Sequence, residues 1–131
     1  MNALTYTAMT LGNHEYNFGK DVFTSVLGQA TFPLLQANVT DDGSYGLAAA
    51  NIQPYVKKTL GDIDVAILGI GNHRIPNYEL PSNIPGLTFS DPIAKAQELS
   101  SLLRPTNDVV IALTHIGFTG IPGSVEVDAN V

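Results

Sequence analysis

"LGNHEYNFG", residues 11–19, follows directly on the apolar run Ala8-Met9-Thr10-Leu11. A strand-like stretch therefore runs into an Asn-His-Glu cluster held between Gly12 and Gly19. Sheets of the α/β kind gather ligand groups at the carboxyl ends of their strands, where loops converge. The triplet recurs at Gly71-Asn72-His73, again after an apolar run but in an otherwise dissimilar context. One of the two triplets can be chemistry and the other coincidence.

Working outward from that turn, strands and helices alternate. Residues 5–11 read as a strand entering Gly12. Within residues 20–29, Val22, Phe23, Val26 and Leu27 form a helical stripe, and Gly28 and Pro33 mark its end. "FPLLQANV" (residues 32–39) reads as one buried strand, and Asp41-Asp42-Gly43-Ser44 as a polar loop. Residues 55–60 and 63–70 flank Gly61-Asp62 as a hairpin that leads into a central strand. Residues 71–85 carry Pro76, Pro81 and Pro85 and read as an irregular loop.

A helix should follow, capped by Ser90 or Asp91, with Pro92 in its first turn and Ala96, Leu99 and Leu103 facing inward. "DVVIALTHIG" (residues 108–117) reads as a strand buried on both faces. Past Gly117 there is no convincing element. The class is α/β, with all 131 residues in one domain.

Composition excludes several partners. Hydrophobic residues make up 44% and charged residues 14%, which argues against disorder. Net charge is −6 and no basic run exists, so neither a nucleic-acid polymer nor an anionic membrane surface is an expected partner. An acidic chain would also oppose a phosphate ligand unless metal ions supply positive charge locally. Cysteine is absent, which removes disulfides and thiolate metal sites. No stretch approaches the ~20 apolar residues of a membrane span.

Two strand ends carry metal-capable groups: Asn13-His14 and His115. Imidazole nitrogen and hard oxygen suit Zn, Mn or Fe, Lewis acids used on phosphoryl groups. Composition and spacing stop there.

The stretches "MNAL…AMTLGNHEYNFG", "FPLLQANV", "IPGLTFSDP" and "VVIALTHIG", in this order, resemble the calcineurin-like metallophosphoesterases. More narrowly they are similar to the 5'-nucleotidase and 2',3'-cyclic-nucleotide 2'-phosphodiesterase group. The resemblance implies an αββα sandwich of mixed sheets with helices outside. It implies hydrolysis of nucleotide phosphoesters by a hydroxide activated by two divalent metal ions, Zn, Mn or similar, with a nucleotide or other small phosphoester as substrate. Asn13 and His115 correspond to ligands of one ion, and His14 to the residue that contacts the phosphate and stabilises charge or protonates the leaving oxygen. Periplasmic, secreted or cell-surface location is likewise an implication of the family.

Two departures bear on that reading. Many 5'-nucleotidases read GNHEFD, whereas this chain has Asn17 in place of the aspartate. A carboxylate stabilises a charged imidazole; an amide orients the ring without stabilising the charge comparably. The Asn17 form looks like the cyclic-nucleotide branch. The family's upstream D-x-H and G-D strand ends, and its downstream G-H-x-H, have no counterpart at the matching places. The chain is therefore expected to be an internal part of the catalytic domain that offers too few ligands to act alone. The alternative is an inactive truncated α/β module.

Among the remaining polar residues, Asn38 at the end of "QANV" is a candidate for lining the pocket, with a plain turn residue as the equal alternative. Glu15 reads as a backbone-bonding turn residue. His73 is a loop residue, Tyr78 and Glu79 pack on or solvate the proline-rich loop, and Asp62 and Asp64 flank a hairpin turn.

Overall fold

The structure, a computed structural model, describes residues 1–117. Its strands are β1 (Met9–Thr10), β2 (Leu34–Leu35), β3 (Val39–Asp41), β4 (Ile52–Gln53), β5 (Tyr55–Leu60), β6 (Ile63–Gly71), β7 (Leu87–Phe89) and β8 (Val109–His115). Its helices are α1 (Gly19–Leu27) and α2 (Pro92–Leu103), joined by short 3-10 turns. Parallel β1, β2 and β4 form one small sheet, β3 and β7 pair antiparallel, and β6 lies between antiparallel β5 and parallel β8. The architecture is the mixed α/β arrangement expected from the sequence.

The clearest sequence signals give the clearest elements. Leu60 pairs with Ile63, so Gly61-Asp62 is a two-residue hairpin turn as read, with Gly61 at φ +64°. The Asp91 carboxylate accepts from the Ala94 N–H at 2.7 Å, capping α2 ahead of Pro92. Leu99 and Leu103 of α2 are buried against Ala66, Leu68 and Ile70 of β6. The opposite face of β6 places Val65 and Ile67 with Leu35. That packing makes β6 the central strand.

Four expectations need correction. Residues 5–11 are not one strand: a 3-10 turn over Asn2–Leu4 ends at Thr5 with φ +48°, and pairing begins only at Met9. "FPLLQANV" is two strands in different sheets, because Ala37 donates to Gly69 and the Asn38 side chain grips Gly71 between them. On α1 the apolar stripe is wider than the buried face: Phe23 is buried, but Val22 and Val26 are about half exposed. Finally, β8 is not buried on both faces, with Val109 at 42% and Ile111 at 40% exposure. Among the described residues β8 pairs only with β6 and is an edge strand. The expectation about residues past Gly117 lies outside the described residues.

The polar loop after β3 has a definite structure. The Asp41 carboxylate accepts from the backbone N–H groups of Gly43 (2.9 Å), Tyr45 (2.9 Å), Gly46 (2.7 Å) and Leu47 (3.0 Å). Burial pushes this carboxyl up, but those four donors outweigh it and hold the group at about 2, against 3.8 ordinarily. A carboxyl lowered by folding stabilises fully above its unfolded value and loses that contribution as pH falls through its folded one. Between pH 4 and about 2, thermal melts of the native chain should therefore show a destabilisation that Asp41→Asn lacks. Parallel pH profiles for the two proteins would exclude this role.

Candidate active site

The turn after β1 is shaped by what packs on it. A Cβ placed on Gly12 would lie 2.8 Å from Glu15 Oε2, 2.8 Å from His115 Cε1 and 3.0 Å from His115 Nε2. Glycine is needed because the His115 ring from the end of β8 rests against the backbone there. Glu15 turns back to accept from the Gly12 N–H at 2.6 Å, the backbone role expected of it. The second flanking glycine answers a different demand, since Gly19 enters α1 at φ +73°.

Between those glycines, residues His14–Tyr16 form a 3-10 turn. Asn13 precedes it in a right-handed conformation (φ −73°, ψ −32°), so it is not a left-handed turn asparagine. Tyr16 anchors the turn: fully buried, it stacks on Phe23 at 5.2 Å and meets Phe89 edge-on at 5.4 Å. Burial pushes its phenol up, with Tyr45 and Glu15 adding to the effect. No sequence signal marked Tyr16, because an aromatic in a polar turn reveals its anchor role only once its neighbours are placed.

Two sequence-predicted ligands converge. The Asn13 Oδ1 and His115 Nε2 atoms lie 3.1 Å apart, although the residues are 102 positions apart in the chain. Asn13 is buried at 6% exposure, whereas His115 lies on the open edge strand. Without an ion, Nε2–H donates to the amide oxygen. The same spacing suits two adjacent ligands of one cation, because bonds of about 2.0–2.2 Å at roughly tetrahedral or octahedral angles separate donors by about 3.0–3.4 Å. An amide oxygen and an imidazole nitrogen form an acceptable donor pair for a borderline divalent ion. The residues present thus fit part of a metal site. Among the described residues no group of three His, Cys, Asp or Glu side chains could complete one.

His14 projects from the same turn into a cleft of about 370 Å³ lined by Asn13, Asn17, Tyr78, Glu79, Leu80 and Asn83. The Asn17 amide Nδ2 lies 2.9 Å from His14 Nδ1 and donates to it, which leaves the ring proton on Nε2. Asn83 ties the far wall to this turn, donating to the Asn17 carbonyl at 2.8 Å and to Glu79 Oε1 at 2.9 Å. Tyr78 and Glu79, expected merely to pack on their loop, therefore form the wall opposite His14. The second Gly-Asn-His serves that wall: Asn72 accepts from the Arg74 N–H at 2.8 Å in a turn and donates to the Tyr78 hydroxyl at 2.7 Å.

Asn38 is placed elsewhere. It is fully buried, and its amide donates to the carbonyls of Gly71 (2.9 Å) and Ser90 (3.2 Å) while accepting from the Gly71 N–H (2.9 Å). It clamps β6 rather than lining the cleft. A larger cleft of about 440 Å³ near Met1, Met9, Leu27 and Phe32 is mainly apolar. There Asn2 holds Gln29 and Thr31 backbone, and Gln29 bonds Ser25, so its polar groups are already engaged.

With the geometry in place, comparison with known proteins becomes informative. No family model matches the chain. A 5'-nucleotidase of Bos taurus is 36% identical over 121 residues, covering 90% of this chain and 21% of the relative. The NAD nucleotidase of Haemophilus influenzae superposes with a TM-score of 0.79 at 32% identity, covering 89% of this chain and 20% of that one. A calcineurin-like phosphoesterase of Bacillus subtilis superposes at TM-score 0.75 and 30% identity, over 98% of this chain and 40% of that one.

Over about 90% of its length the chain is similar to 5'-nucleotidases, and it shares the fold of a calcineurin-like phosphoesterase.

5'-Nucleotidases, the relatives it matches, are phosphoric ester hydrolases. The chain spans about a fifth of the length of the curated 5'-nucleotidases it matches. No described helix is long and apolar enough to cross a membrane.

Within this 5'-nucleotidase framework Asn17 carries a direct test. Asn17→Asp replaces a donor at His14 Nδ1 with an acceptor and should move the ring proton to Nδ1. Nitrogen-15 NMR of the His14 ring should report a protonated Nδ1 in the variant and an unprotonated one in the native protein, with a displaced pH–rate profile. Identical ring spectra and identical profiles would contradict the Asn17 argument.

Proposed function

We propose that this chain forms part of the catalytic domain of a divalent-metal-dependent hydrolase of nucleotide phosphoesters. The observation that carries the reading is the meeting of Asn13 Oδ1 and His115 Nε2 at 3.1 Å, beside a cleft into which His14 projects. Asn13 and His115 would hold one ion of a two-ion centre, Zn, Mn or similar. A divalent cation bound there supplies Lewis-acid polarisation of a phosphoryl group.

The chain's own residues do the rest. With Nδ1 accepting from Asn17, His14 keeps a proton on Nε2, from which it can bond a phosphate oxygen or protonate the leaving alkoxide. Gly12 lets the His115 ring approach, and Tyr16 fixes the turn that carries His14. The amide at Asn17 favours the 2',3'-cyclic-nucleotide phosphodiesterase branch over a plain 5'-nucleotidase. Action in the periplasm, at the cell surface or outside the cell belongs to the same reading.

The test is hydrolysis by the full-length protein, supplied with Mn²⁺ or Zn²⁺, of adenosine 5'-monophosphate and adenosine 2',3'-cyclic monophosphate. Hydrolysis of either supports the reading, and a higher kcat/KM for the cyclic ester supports the branch. His14→Ala should lower kcat by about 10²–10⁴-fold, the usual contribution of a positioned general acid. Turnover that is indifferent to His14, or inactivity towards both esters, would overturn the reading.

A further inference from the structure

Close to the strand ends that carry Asn13 and His115 stands a polar side chain that bonds nothing among the described residues. Gln36 directly follows β2 and is 3% exposed, and among the described residues neither its amide nitrogen nor its amide oxygen has a hydrogen-bond partner. Its position is defined by Gly71. A Cβ added to Gly71 would collide with Gln36 Nε2 and would lie 2.6 Å from its Cδ and 2.7 Å from its Oε1. Gly71 is the register partner of His115 in the parallel β6–β8 ladder, and paired residues direct their substituents to the same face of a sheet. The Gln36 amide thus fills the space beside Gly71 on the face from which His115 projects. Neighbouring β1 brings Gly12 beneath the His115 ring and Asn13 onto its Nε2.

A buried carboxamide with both ends unpaired is unusual in a protein interior, where such groups find partners. Here it stands at the carboxyl edge of parallel strands, against the glycine that pairs with His115. Gly71, with no side chain, leaves room for it. Carboxamide oxygen is the same hard donor type that Asn13 offers, and Mn²⁺, Mg²⁺ and Zn²⁺ all accept oxygen ligands. Resting on the reading of Asn13 and His115 as ligands, we propose that Gln36 gives its carboxamide oxygen to the same cation as a further protein donor.

The experiment is Mn²⁺ binding to the metal-free full-length protein, read by calorimetry or by loss of the free Mn²⁺ spin-resonance signal, together with thermal melting. Gln36→Leu, close in volume and apolar, should leave the metal-free melting temperature unchanged or raised, since an unpaired buried amide is removed. The same variant should weaken Mn²⁺ binding at least tenfold. Gln36→Glu should melt lower than native without metal and recover on adding Mn²⁺, as a buried carboxylate gains its cation. Native Mn²⁺ affinity in Gln36→Leu, or no metal rescue of Gln36→Glu, would overturn the inference. Asn13→Ala is the control. If it weakens binding while Gln36→Leu does not, only the role of Gln36 falls. If Asn13→Ala also binds natively, the ligand reading itself falls.

Discussion

The contact on which this structure turns is the His115 ring laid against the bare backbone of Gly12, with Nε2 3.1 Å from the Asn13 amide oxygen. It is a steric constraint before it is a chemical one. Any side chain at position 12 would occupy the place of the ring or of the Glu15 carboxylate. The ring comes from the last pair of the β6–β8 ladder, and the turn after β1 faces the end of β8. Asn13, His14 and Asn17 then follow from a single 3-10 turn whose depth is fixed by buried Tyr16.

Around that contact two asparagine amides tie distant segments together. Asn38 grips both backbone groups of Gly71 and reaches the carbonyl of Ser90, which ties the start of β3 to the end of β6 and to the lead-in of α2. Removing such a clamp would strand buried donors and acceptors at about 1–3 kcal/mol each. Asn83 performs the corresponding task at the surface, linking the His14 turn to the loop that bears Tyr78 and Glu79. The cleft therefore has two walls joined by hydrogen bonds rather than two independent loops.

How much of this was legible in the sequence depends on how local each cause is. The β5–β6 hairpin and the capped helix α2 were readable because Gly61-Asp62 and Asp91-Pro92 act on their own neighbours. The break inside "FPLLQANV" was not, because no glycine or proline marks it; it comes from Gly69 and Gly71 on a distant strand. The exposure of β8 was likewise hidden, since an apolar run cannot tell whether it lies at a sheet's centre or edge. The ligand roles proposed for Asn13 and His115 came only through resemblance, and the meeting of the two side chains is a tertiary fact. Tyr78, Glu79 and Asn83 were missed because their loop is shaped by side-chain bonds, such as that from Asn72 to Tyr78, that spacing does not announce.

The central claim is that two side chains from distant strand ends share one cation. Anomalous diffraction at the manganese edge, from crystals of the full-length protein grown with Mn²⁺, addresses it most directly. The account predicts an anomalous peak within about 2.0–2.3 Å of both Asn13 Oδ1 and His115 Nε2, the usual range of bonds to such ions. Manganese bound elsewhere, with those two atoms still joined only by their hydrogen bond, would contradict it.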